Sequence, residues 1–176
     1  MINEEKTRKE TAQRVADLMM TAARTAPKAR GIDTLWLAKA EPDDIALLTD
    51  AMLQYAEAYH LPFFKRDAEN ILKADALVLI GTRLETRGIS WCSFCGFSNC
   101  AVKLTNPSVP CAFNLTDLGI ALGAAAATAA NHHVDNRIMF SVGKAAIEAK
   151  LTPSDVKVCY AIPLSISSKS PFFDRG

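Results

Sequence analysis

Four of the five cysteines fall in one short stretch, Trp91-Cys92-Ser93-Phe94-Cys95-Gly96-Phe97-Ser98-Asn99-Cys100, completed by Cys111. The spacing is C-x2-C-x4-C-x10-C. A C-x2-C pair puts two sulfurs on one side of a turn, and Gly96 lets the chain bend back toward Cys100. Four thiolates from one loop can close around a single centre. An iron–sulfur cluster needs such thiolates, little water, and backbone N–H groups aimed at sulfur. Trp91, Phe94 and Phe97 are the expected shield, and Pro110 gives Cys111 a rigid approach. The spacing matches neither common ferredoxin run. Structural zinc typically uses two C-x2-C pairs, and this chain has one. An iron–sulfur cluster, a structural zinc ion and unmetallated thiols all stay open. Cys111 is the least secure ligand; as a lone buried thiol it would leave a three-cysteine cluster with an open iron site. Cys159, within an apolar run, reads as a small buried residue.

These residues sit in a chain of 176 residues with 49% apolar and 22% charged side chains. That length predicts one domain, residues 1–176, which buries its core without a staple. A net charge of +1 gives no electrostatic footprint for nucleic acid or an anionic membrane. The first thirty residues lack a signal-peptide core, and no continuous apolar run reaches the ~20 residues of a membrane span. The expected location is the cytoplasm, where thiols stay reduced and clustered cysteines point to metal or redox chemistry.

The elements that must position the cysteines follow from periodicity. Val15, Met19, Ala22, Ala23 and Ala26 recur at helical spacing, predicting a helix from Glu4 to Ala26 that Pro27 ends. A strand is expected over Asp33–Lys39, and a helix from Pro42 to Tyr59 with acidic residues in its first turn. Phe63–Ala74 reads as a shorter helix. Asp75–Thr82, a continuous Leu/Val/Ile run, reads as a strand buried on both faces. Residues 83–111 read as a metal-binding loop. A long Ala/Gly helix follows from about Asp117 to Asn131, capped by Asn114 or Thr116. A helix over Ser141–Lys150 and a strand over Val156–Pro163 complete the chain.

Three segments resemble the nitroreductase fold. Met20-Thr21-Ala22-Ala23-Arg24-Thr25-Ala26-Pro27 resembles its helix-to-loop segment leading into a flavin pocket. Asp117-Leu118-Gly119-Ile120-Ala121-Leu122-Gly123-Ala124-Ala125-Ala126 resembles its central helix, and Pro153–Pro163 its late strand. With the cysteine loop inserted after Ala76–Ile80, the chain resembles a prokaryotic family of ferredoxin-domain-containing proteins. The resemblance implies an α+β, nitroreductase-like sandwich, a central sheet flanked by helices, that forms a homodimer through long helices. It also implies FMN at the dimer interface. Here the chain departs: the Arg-Ser-x-Arg strand that grips flavin phosphate is missing. Arg24, Lys28 and Arg30 are the residues left to supply phosphate charge, against a plainer reading as a solvated basic turn that offsets a helix dipole.

Gly119 and Gly123 form G-x3-G, read either as a dimer seam or as close approach within one chain. His132 and His133 are adjacent and diverge on a helix, which suits a helix end better than a shared metal. The chain has no nucleophile elbow, P-loop, H-E-x-x-H or G-x-G-x-x-G. Two functions lead, ahead of a flavin reductase that keeps FMN through substitute contacts. One is an iron–sulfur redox protein, with a 4Fe-4S cluster expected on Cys92, Cys95, Cys100 and Cys111, exchanging electrons with a flavin or a partner protein. The other is a non-enzymatic binding module held by zinc or by no metal.

Overall fold

The computed structural model describes residues 1–173. One antiparallel sheet organises them. Its strands are β1 (Leu35–Lys39), β2 (Ala76–Arg83), β3 (Asp135–Asn136) and β4 (Val156–Ser165), in the order β1-β2-β4-β3. β2 lies at the centre, where every residue but Arg83 is buried. That is what a continuous Leu/Val/Ile run requires.

Alternate residues of β2 feed two cores. Ala76, Val78 and Ile80 face helix α1 (Arg8–Thr25) and helix α5 (Ala112–Asn131). Leu77 and Leu79 face α2 (Pro42–Ala58), α3 (Pro62–Ile71) and α6 (Phe140–Glu148). The result is an α+β sandwich of helices, sheet and helices. By length and mean hydropathy α5 also meets the criterion for a membrane span. Here it is the central helix, with Leu118, Ala121, Leu122 and Ala125 in the core.

Several expectations shift. The loop over residues 83–111 contains a short helix, α4 (Cys100–Leu104), started by Asn99 whose Oδ1 accepts from the Val102 N–H at 3.0 Å. α5 begins earlier than expected, with Cys111 rather than Asn114 or Thr116 at its N-cap. Asn114 lies inside the helix and is fully buried. At the far end His133 is left-handed (φ +57°). Gly119 and Gly123 do not serve close approach within the chain: a Cβ on either would meet nothing within 4 Å.

Gly143 is the opposite case. A Cβ there would lie 2.1 Å from the Cys159 carbonyl oxygen, because α6 presses directly on β4. Gly143→Ala is therefore expected to lower the unfolding free energy by about 3 kcal/mol. Gly123→Ala, on an open helix face, is expected to raise that of the monomer by up to about 1 kcal/mol. Urea unfolding of the two variants checks the contrast.

Candidate metal centre

The loop leaves β2 at Arg83 and is anchored at once. The Glu85 N–H donates to Asn114 Oδ1 at 3.1 Å, and Asn114 Nδ2 donates to Thr34 Oγ1 at 3.4 Å. Arg87 is only 2% exposed. Its Nη2 donates to Thr34 Oγ1 at 2.8 Å, and its Nε lies 3.6 Å from Asp117 Oδ2. Asp117 Oδ1 accepts from the Ala29 N–H at 3.0 Å, and Arg30 Nη1 donates to the Arg87 carbonyl at 2.9 Å. Arg87 Nε and Asp117 Oδ2 make no hydrogen bond, so their link is an ion pair alone.

Beyond this anchor the chain winds tightly. Trp91 (φ +55°), Ser93 (φ +51°) and Gly96 (φ +83°) are left-handed. Ser93 Oγ donates to the Ser98 carbonyl, and the Gly96 N–H donates to the Ser93 carbonyl. The winding carries Cys92 and Cys95 to the same cavity as Cys100, the first residue of α4, and Cys111, the N-cap of α5. All four expected cysteines line this cavity of about 290 Å³. It is far larger than the ~10–15 Å³ a single water needs. Cys111 is buried and the other three are half-buried.

The wall differs from expectation in one respect. Phe97 lines the cavity together with Ile89 and Phe113. Trp91 and Phe94 turn their rings outward, at 104% and 77% exposure. Phe94 stacks on Phe113 with centroids 6.0 Å apart. The left-handed backbone at Trp91 and Ser93 reverses the side-chain alternation that the sequence pattern suggests. Sequence reasoning also missed Arg87 and Lys103, the only formally cationic side chains in the wall. The available signal was a lysine amid the apolar Ala101-Val102-Lys103-Leu104.

The donor set is four thiols. Among the described residues, no three His, Cys, Asp or Glu side chains are arranged to hold one metal ion. A zinc ion draws its sulfurs to about 2.3 Å from one point. A cluster spreads its thiolates over several irons and needs the wider ring that a cavity provides. The four thiols around one cavity are a donor set on which either a cluster or a single ion could draw.

Arg24, Lys28 and Arg30 do not line the cysteine cavity. Arg24 Nη1 pairs with Asp33 at 2.6 Å. Lys28 Nζ donates to the Ala23 and Ala26 carbonyls at 2.9 and 2.7 Å, closing the end of α1. Burial pulls its pKa below the usual lysine range, against the attraction of Asp33. Arg30 is bonded to the loop anchor. Within one chain these three cations are engaged internally.

Residues 107–175 match the family described as uncharacterized proteins containing a ferredoxin domain. A protein from Archaeoglobus fulgidus, described as uncharacterized, is 36% identical over 186 residues, spanning all of this chain and 98% of its own length. The chain belongs to this ferredoxin-domain family. The matched family segment includes Cys111 and begins after the other three loop cysteines. The fold is nitroreductase-like. A BluB-like flavoprotein from Clostridium difficile 630 superposes with a TM-score of 0.61 at 14% identity, over 89% of this chain and 84% of its own. An oxidoreductase containing FMN superposes with a TM-score of 0.60 at 16% identity, over 89% and 68%. A nitroreductase family protein from Clostridium novyi NT gives 0.55 at 14% identity, over 88% and 74%. The family's ferredoxin domain supports a redox role.

Two outcomes test the geometry. Arg87→Met strands the buried Asp117 carboxylate, with an expected loss of about 3–5 kcal/mol in urea unfolding. The double variant with Asp117→Leu is expected to recover much of it. Cys159 differs from the loop thiols: burial pushes its thiol up to about 12. The unfolded chain releases that proton above pH ~8.5, so the contribution is whole below that pH and lost as pH rises toward the folded value. Cys159→Ala is expected to flatten this alkaline loss. In metal-free protein at pH 8, mass spectrometry is expected to find Cys92, Cys95 and Cys100 alkylated and Cys159 intact.

Proposed function

We propose that this chain is a redox protein whose Cys92, Cys95, Cys100 and Cys111 hold an iron–sulfur cluster, most simply of the 4Fe-4S type. The observation that carries the reading is the convergence of four thiols from a wound loop and two helix starts on one cavity. Membership in a ferredoxin-domain family supports it. When bound, such a cluster accepts and passes single electrons. The chain's own residues bind, shield and orient. Cys111 is fixed by the first turn of α5, whose N-terminal end carries partial positive charge. Ile89, Phe97 and Phe113 limit water on the wall. Trp91 and Phe94 face outward beside Cys92 and Cys95, and form the surface on which an electron-exchanging partner protein would dock.

The same reading favours a reducing compartment such as the cytoplasm, where the thiols stay available. It also takes the open α5 face, Leu115, Gly119, Ile120 and Gly123, as the seam of a homodimer. Those residues are exposed and apolar or small in the single chain. No step is assigned to a flavin, since Arg24, Lys28 and Arg30 are engaged elsewhere.

The test is oxygen-free purification followed by a visible spectrum with iron, sulfide and zinc analysis. The expected result is broad brown absorbance with several irons and sulfides per chain. Cys95→Ala is expected to lose most of both, while Cys159→Ala retains them. Colourless protein with about one zinc per chain would overturn the cluster reading and favour a zinc-held binding module. Yellow protein that releases FMN on denaturation would return flavin to the account.

A further inference from the structure

We infer that Lys103 supplies the counter-charge for the group held by Cys92, Cys95, Cys100 and Cys111, and thereby sets how readily that group takes an electron. This rests on the cluster reading above. α4 has its pattern inverted: Val102 and Leu104 are exposed, while Lys103 is 2% exposed. Lysine is almost never so buried unless it is paired. Lys103 Nζ is not among the fully sealed polar atoms, so its tip keeps a sliver of solvent, and the cavity wall beside it carries no Asp or Glu. Lys103 follows Cys100 by three positions, so the two share one helix face. Apart from that solvent, the anionic partners the cavity wall offers Lys103 are the thiolates and what they bind.

Four thiolates carry four negative charges, and the iron core of a ferredoxin-type cluster returns fewer positive ones. Each electron received from a one-electron donor adds another negative charge, with no proton required. A cation in a poorly solvated wall lowers the free energy of both states, and of the reduced state more. Arg87, the other cation, is already bonded to Thr34 and paired with Asp117. Lys103 is the uncommitted one, and its removal leaves the loop anchor intact.

The experiment uses the full chain, loaded without oxygen and titrated with dithionite under optical and EPR detection, with iron and sulfide counted per chain. Lys103→Met is expected to cut the reduced-to-oxidised ratio at least tenfold at the parent midpoint, a negative shift of 59 mV or more for a one-electron couple. Lys103→Arg is expected to restore most of it. Lys103→Gln substitutes if circular dichroism finds Lys103→Met unfolded. Iron lost from Lys103→Met and Lys103→Gln, yet kept by Lys103→Arg in equally folded protein, also supports the counter-charge. A parental midpoint in Lys103→Met at full iron content overturns it, as does equal iron loss from Lys103→Arg. A parent chain that takes up no iron overturns the cluster reading itself, and this inference with it.

Discussion

A guanidinium out of water is the constraint around which the cysteine-bearing half of the molecule is arranged. Arg87 cannot be left unpartnered in that position, because an isolated buried charge is among the costliest features a fold can hold. Its partners come from three places. Thr34 stands before β1 and shares a hydrogen bond with Thr82 of β2. Asp117 comes from α5, and its other oxygen holds the turn after α1. Arg30, from that turn, returns to the Arg87 carbonyl. One side chain thus fixes the sheet edge, the central helix and the root of the cysteine loop relative to one another.

The thiols inherit that arrangement unequally. Cys111 caps a 20-residue helix whose buried face lies in the core, so its position is as firm as the fold. Cys100 begins a five-residue helix held by Asn99. Cys92 and Cys95 sit in a stretch with left-handed residues at Trp91 and Ser93, each costing about 1–2 kcal/mol. That strain is tolerated where other contacts over-determine the backbone, which is common at functional sites. Trp91 still borders the cavity although it is fully exposed, and Ile89, Phe97 and Phe113 supply the rest of its apolar wall.

Much of this was legible in the residues. Periodicity located the helices and the doubly buried strand, and spacing singled out four cysteines that share one cavity. What escaped has physical causes. The α5 start differs from expectation because Asn114 and Thr116 are capping residue types, while Asn114 instead serves the buried loop anchor and Thr116 Oγ1 donates to the Ala112 carbonyl within the helix. β3 spans two residues and owes its existence to β4 beside it, so no local pattern announces it. Outward Trp91 and inward Lys103 reverse the ordinary sorting of apolar and charged groups. A sequence reading that assigns hydrophobics to the interior has no means of finding them.

The split between a core-bound Cys111 and a strained Cys92–Cys95 turn gives the cavity two unlike sides. α5 has its inner face in the main core, so exposing its amides requires breaking that core. The wound turn contributes no residue to either core. One jaw of the cavity is therefore tied to the stability of the sandwich, and the other to its own hydrogen bonds and the Arg87 anchor.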